Sequence, residues 1–198
     1  MGRFTRKGVQ TVLVLEGAED ELLPNLVQQL LDVLEHDQPH PTPADPGSHT
    51  EDDPFGAWEA SFSEAESIED EDFTDPDPIT ARLFPAAYTD DPEAAYDFRR
   101  FTQADERRRK IAECRRVLDD LEHLSSSGRV RIPADHQQDW LRTLNNLRLV
   151  LSVLLGITDE ISADEAAQLP DDDPRAVVHH YYAWLGWMLE SLLETMAP

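Results

Sequence analysis

Eight of the chain's seventeen lysines and arginines fall between Arg99 and Arg116: Arg99, Arg100, Arg107, Arg108, Arg109, Lys110, Arg115 and Arg116. Only Asp105, Glu106 and Glu113 oppose them there. Guanidinium forks at this density bind carboxylates or phosphates. Two readings stand side by side. One is a solvated helix whose charges pair among themselves. The other is a docking surface for an anionic partner, either another molecule or an acidic segment of the same chain. Neighbouring side chains on a helix diverge by about 100°, so Arg107, Arg108 and Arg109 cannot share one face. Arg108 and Arg115 do align, with Arg109 and Arg116 forming a row beside them.

The same stretch contains Cys114, the chain's one cysteine. It lies on the apolar side of its helix, which is a packing position for a free thiol. The cations around it would lower its pKa and make it redox-active if the sulfur were exposed. Other reactive residue types lack a productive spacing. His36 and His40 are separated by Pro39, which prevents the helix that would bring their rings together. Together with His49 they read as solvated loop histidines. His179 and His180 are adjacent on a helix and point apart. The acid runs Glu51-Asp52-Asp53, Glu69 to Asp72 and Asp171 to Asp173 lack the pattern of a calcium loop. No glycine-rich phosphate loop, H-E-x-x-H, C-x-x-C or G-x-S-x-G occurs. These readings lead to an expectation of no enzyme activity, no metal site and no cofactor.

The basic stretch stands out because the chain as a whole is acidic, with a net charge of −24 and a pI near 4.4. Such a balance disfavours independent binding to DNA, which relies on cations neutralising phosphates. DNA contact is expected only together with a partner. The residues from His36 to Ile79 hold fourteen carboxylates, seven prolines and no lysine or arginine. That composition predicts a disordered acidic insert at about 36–77 within a single domain spanning 1–198. Inside it Phe55, Trp58 and Phe62 recur at i, i+3, i+7, the spacing of an interaction segment that folds on contact. The alternative is that these aromatics tuck loosely against the body.

The remaining chain must position the basic stretch. Phe4 to Val9 and Thr11 to Leu15 read as a β-hairpin turning at Lys7-Gly8. Ala18 to Glu35 carries leucines at helical spacing, with Pro24 expected in the first turn. A short helix around Leu83-Phe84 ends at Pro85. Asp90-Asp91-Pro92 starts a helix to about Phe101, and Thr102 is expected to cap a separate helix through Leu124 with Ile111, Cys114, Leu118 and Leu121 as its seam. Arg129-Val130-Arg131-Ile132 alternates as a strand that would join the hairpin. Ala134 to Leu155 forms a helix stopped by Gly156, Ser162 caps a short turn, and Asp173-Pro174 opens the last helix. The fold class that follows is mainly α with a small N-terminal antiparallel sheet (α+β) and a helical-bundle core. With one cysteine, no secretory signal and no apolar run of membrane-spanning length, the expected location is the cytoplasm. The oligomeric state is left open between monomer and dimer.

Several stretches resemble a known family. Phe84-Pro85, Asp90-Asp91-Pro92-Glu93, Phe98-Arg99-Arg100, Gly128-Arg129-Val130, Trp140-Leu141-Arg142, and Leu144-Asn145-Asn146-Leu147-Arg148-Leu149 look like the actinobacterial oxidative-stress transcriptional regulators called AosR-like. Tyr182-Ala183-Trp184-Leu185 and Leu189-Glu190-Ser191-Leu192 fit the same pattern, and the similarity covers nearly everything except the acidic insert. The resemblance implies a regulator acting with a stress sigma factor and RNA polymerase on thiol-synthesis genes. The family's association with sulfur transfer and regulated proteolysis implies an alternative, an adaptor or scaffold. If such a regulator senses oxidants through a disulfide, Cys114 would need a small-thiol adduct or a second subunit.

Overall fold

The computed structural model describes residues 1–8, 10–35, 77–85, 92–170 and 172–197, with only the backbone described over 92–101. The predicted insert, with Phe55, Trp58 and Phe62, lies outside the described residues.

Strands β1 (Arg3–Lys7) and β2 (Gln10–Val14) pair antiparallel, with Lys7 opposite Gln10 and Arg3 opposite Val14. Gly8 turns the chain with φ of 63°, a left-handed conformation that costs glycine little. β3 (Arg129–Ile132) pairs antiparallel with the free edge of β2, giving the order β1-β2-β3. The strand expected to join the hairpin does so. Side chains alternate between the two faces. Phe4, Leu13 and Val130 form one row of the inner face, with Thr11 and Ile132 in the next, and all five are buried. The outer face carries Arg3, Val14 and Arg129 in one row and Thr5, Val12 and Arg131 in another.

Beyond the sheet, α1 spans Glu19–Glu35 and buries Leu23, Leu26, Val27, Leu30, Leu31 and Leu34. Pro24 is inside this helix, not in its first turn as expected. The carbonyl it leaves without a helical donor, four residues earlier, belongs to Asp20, an exposed residue that water reaches. Next, α2 (Pro78–Leu83) is capped by Asp77, which accepts from the Thr80 amide at 2.8 Å.

The following helix departs most from expectation. Pro92 to Glu122 is one continuous 31-residue helix, α3, rather than two joined at Thr102. Between Glu93 and Glu122 there is no glycine or proline, and a residue able to cap does not end a helix without such a breaker. Its buried seam is Cys114, Val117 and Leu121, while Ile111 and Leu118 are only partly buried.

After β3, α4 (Gln137–Leu154) starts three residues later than expected and buries Trp140, Leu144, Leu147 and Leu151. Gly156, with φ of 70°, follows its end. Asp159, not Ser162, caps α5 (Glu160–Ala167). Ser162 is the third helical residue, and it and Asp159 satisfy each other's backbone amides in a capping box. Last, α6 (Arg175–Met196) follows Asp173-Pro174 as expected, with Asp173 accepting from the Arg175 amide at 2.8 Å.

The long helices α1, α3, α4 and α6 and the inner sheet face share one core, so the protein is α+β with a helical bundle at its centre. Phe4 stands edge-on to Trp140, with centroids 5.5 Å apart. The Phe4 amide donates to the Ser191 hydroxyl at 3.0 Å, and the Thr11 hydroxyl meets that of Thr195 at 3.3 Å, tying the sheet to α6. Among the described residues, no helix is long and apolar enough to cross a membrane.

Candidate docking surface on the basic helix

On α3 the run Arg107 to Lys110 splits into two cations that turn inward and two that turn out. Arg107 donates to the Leu34 carbonyl at 3.1 Å, and its guanidinium lies 5.1 Å from the Phe84 ring centre. Lys110 donates to the Asn146 side-chain oxygen at 3.0 Å, with its ammonium 5.6 Å from the same ring. Partial burial holds the Lys110 pKa below the usual lysine value. Phe84, buried after α2, therefore meets two cations, and the contacts join α2, α3, α1 and α4.

The outward cations form the row expected from their spacing. Arg108, Arg109, Arg115 and Arg116 have side chains 72%, 54%, 63% and 48% exposed. Arg108 pairs with Asp105. Arg109 reaches Glu106 at 3.5 Å and Glu113 at 3.7 Å. Arg115 meets Glu35 of α1 at 2.7 Å, and Arg116 meets Asp139 of α4 at 2.5 Å. The pairs of Arg108 with Asp105 and of Arg115 with Glu35 are solvent-exposed and contribute about 0–1 kcal/mol each, so an incoming carboxylate can exchange with the resident one there, whereas Glu113 and Asp139 are mostly buried. The helix is thus ion-paired and still accessible. Arg99 and Arg100 belong to α3, but their side chains lie outside the described residues.

Two acids of α3, set between the arginine row and the buried seam, were not singled out by sequence reasoning. Glu113 and Asp120 are seven residues apart and buried. Arg142 of α4 donates to Glu113 at 2.8 Å. Asp120 accepts from the Trp140 indole at 2.8 Å, and its two oxygens lie 3.0 and 3.1 Å from the His136 Nδ1. This geometry makes Nδ1 the protonated ring nitrogen. These contacts clip α3 to α4 and fix the helical rotation that turns the arginine row outward. The available signal was the i, i+7 spacing of two acids beside an apolar seam, with Trp140 and Arg142 ahead on the next helix.

Cys114 is fully buried, and desolvation pushes its thiol up to about 12. It packs against the core as a neutral small side chain. An adduct with a small thiol would require the core to open. On α6, His180 Nδ1 lies 3.1 Å from the Ala176 carbonyl, and His179 stacks obliquely near Tyr182. Among the described residues, no group of three or more His, Cys, Asp or Glu side chains is placed to hold a metal ion. His36, His40 and His49 lie outside them.

No curated protein and no solved structure matches the chain. A family model does match, described as a domain of unknown function, over residues 1–196. With essentially the whole chain covered, the protein belongs to the DUF2017 family.

Proposed function

We propose that this chain is a cytoplasmic regulatory interaction protein that modulates transcription of oxidative-stress and thiol-metabolism genes through a sigma factor and RNA polymerase. The observation that carries a binding role is the row Arg108, Arg109, Arg115 and Arg116, about half or more exposed on one helix, with Arg108 and Arg115 held by exchangeable surface pairs. The transcriptional target comes from the family resemblance of the sequence. The net charge of −24 favours contact with protein over independent contact with DNA.

The experiment is co-purification with polymerase from cell lysate. Wild-type protein is compared with an Arg108→Ala, Arg115→Ala, Arg116→Ala variant, which spares Arg109 beside buried Glu113. Polymerase subunits should be enriched with wild type and lost with the variant, while the melting temperature changes little. Enrichment of protease or sulfur-transfer components instead would support the adaptor reading. Tight binding of promoter DNA at physiological salt without polymerase would overturn the preference for protein contact.

A further inference from the structure

The contrast between the two basic regions carries an inference beyond that reading. On α3 the described outward arginines, Arg108, Arg109, Arg115 and Arg116, each have a carboxylate partner. On the outer sheet face Lys7, Arg129 and Arg131 are exposed, and none forms an ion pair with a carboxylate among the described residues. Arg3, on the same face, lies within electrostatic reach of Glu16. The three strands contain no acid at all, in a chain with 41 aspartates and glutamates against 17 lysines and arginines. Charged residues on the edge strands β1 and β3 would discourage sheet-to-sheet aggregation. Either sign serves that purpose, so edge protection leaves the uniform positive charge unexplained.

The face also has shape. A hollow of about 250 Å³ lies over its centre, lined by Lys7, Gln10, Val12, Arg129 and Arg131. Val12 sits on this outward face yet is only 6% exposed, covered by its neighbours' side chains as long cationic stems cover apolar surface. Arg129 and Arg131 are two residues apart on one strand, so they stand roughly 6–7 Å apart along it. Carboxylates at alternate positions of an extended segment have the same spacing.

We propose that this sheet face is a docking surface for a short extended segment of a partner protein with carboxylates at alternate positions. Arg129 and Arg131 take successive carboxylates, Lys7 takes a third, and Val12 and Val14 support the apolar atoms between them. Nucleic acid fits less well. The face presents no aromatic side chain for base stacking. A long polyanion passing beyond the patch would meet a body of strongly negative charge, whereas a short segment touches only the hollow.

The test uses the full chain and a fluorescein-labelled peptide of about ten residues alternating Glu and Val, with a Gln-for-Glu peptide and a duplex DNA as comparisons. The Glu peptide should bind at low salt, weaken steeply as salt rises, and shift the backbone amide signals of Val12, Val14 and Arg131. A Lys7→Ala, Arg129→Ala, Arg131→Ala variant with unchanged melting temperature should bind it at least about tenfold more weakly. The α3 triple-alanine variant should bind it as wild type does, which separates failure here from failure of the polymerase reading. Absence of peptide binding, equal binding by the sheet variant or of the Gln peptide, or tighter binding of the duplex than of the peptide would overturn the proposal.

Discussion

The indole N–H of Trp140 points at a carboxylate oxygen of Asp120 across 2.8 Å, at a position where Trp140 exposes no surface. His136 approaches the same carboxylate from the start of α4, and Phe4 holds the other side of the indole. Asp120 therefore joins α3 to α4 through the indole against which Phe4 of the sheet packs. Asp120→Ala strands a buried indole donor, which costs about 1–3 kcal/mol. Chemical denaturation should show this loss. Asp120→Asn keeps a side-chain oxygen for the indole and should lose less.

Glu113 is the second clip. Arg142→Ala leaves a buried carboxylate with only Arg109 at 3.7 Å. Because Arg142 is itself 46% exposed, the expected loss is about 1–3 kcal/mol, below the range for a fully buried pair. In a Glu113→Gln background the same substitution should cost less. A double-mutant cycle measures the coupling, and additive losses would show that the contact is idle.

With its pKa at about 12, the Cys114 thiol is ionised to only about one part in ten thousand at pH 8. A thiol-specific reagent should modify native protein only as fast as the core opens, and rapidly in denaturant. Stoichiometric labelling within seconds under native conditions would contradict the packing described.

The same thiol predicts a pH dependence. Unfolded, it loses its proton near 9, while folded it keeps it to about 12. Between those values the folded state binds more protons, so stability falls as pH rises, by up to about 1.4 kcal/mol per pH unit from this group. Below about pH 9 the contribution is fully present and flat. Urea midpoints across pH 8 to 11 should fall less steeply in Cys114→Ala than in wild type.

Gly128 and Gly8 both have positive φ, 67° and 63°, but their surroundings differ. A Cβ at Gly128 would lie 2.3 Å from the Leu15 carbonyl oxygen, whereas at Gly8 no described atom beyond the chain neighbours lies within 4 Å. Gly8→Ala should cost about 1 kcal/mol for the left-handed backbone alone. Gly128→Ala should cost about 3 kcal/mol or more, because the collision is with backbone that carries the Leu15 to Gly128 hydrogen bond. Thermal unfolding of the two variants checks the difference.

What could be read in the chain was whatever is written locally. The glycine turn, the leucine stripe of α1, the alternation of β3 and the stop at Gly156 need only neighbouring residues. The errors share a cause. Thr102 and Ser162 have good capping chemistry, but their helical roles depended on what lay around them. Thr102 had no breaker beside it, and Asp159 was better placed than Ser162. On α3 the seam was misplaced because Glu113 and Asp120 share the buried side with Cys114 and Val117. Their partners come from another helix, and no 3.6-residue pattern records them. The arginine row itself was legible from spacing, but its partners Glu35 and Asp139 were not. The cations of the outer sheet face escaped notice because Lys7 and Arg131 are 124 positions apart and become neighbours only when β3 closes the sheet.

The bond from the Phe4 amide to Ser191 gives that long-range closure a meaning in time. At ribosomal rates of about 5–20 residues per second, roughly 10–40 s separate the emergence of the hairpin from that of its partner on α6. For that interval the inner row of Phe4 and Leu13 lacks the last helix, and for roughly the first two thirds of it β3 as well. The hairpin strands, made before the other described elements, are thus among the last to be finished, and it is these strands that most need protection in the nascent chain.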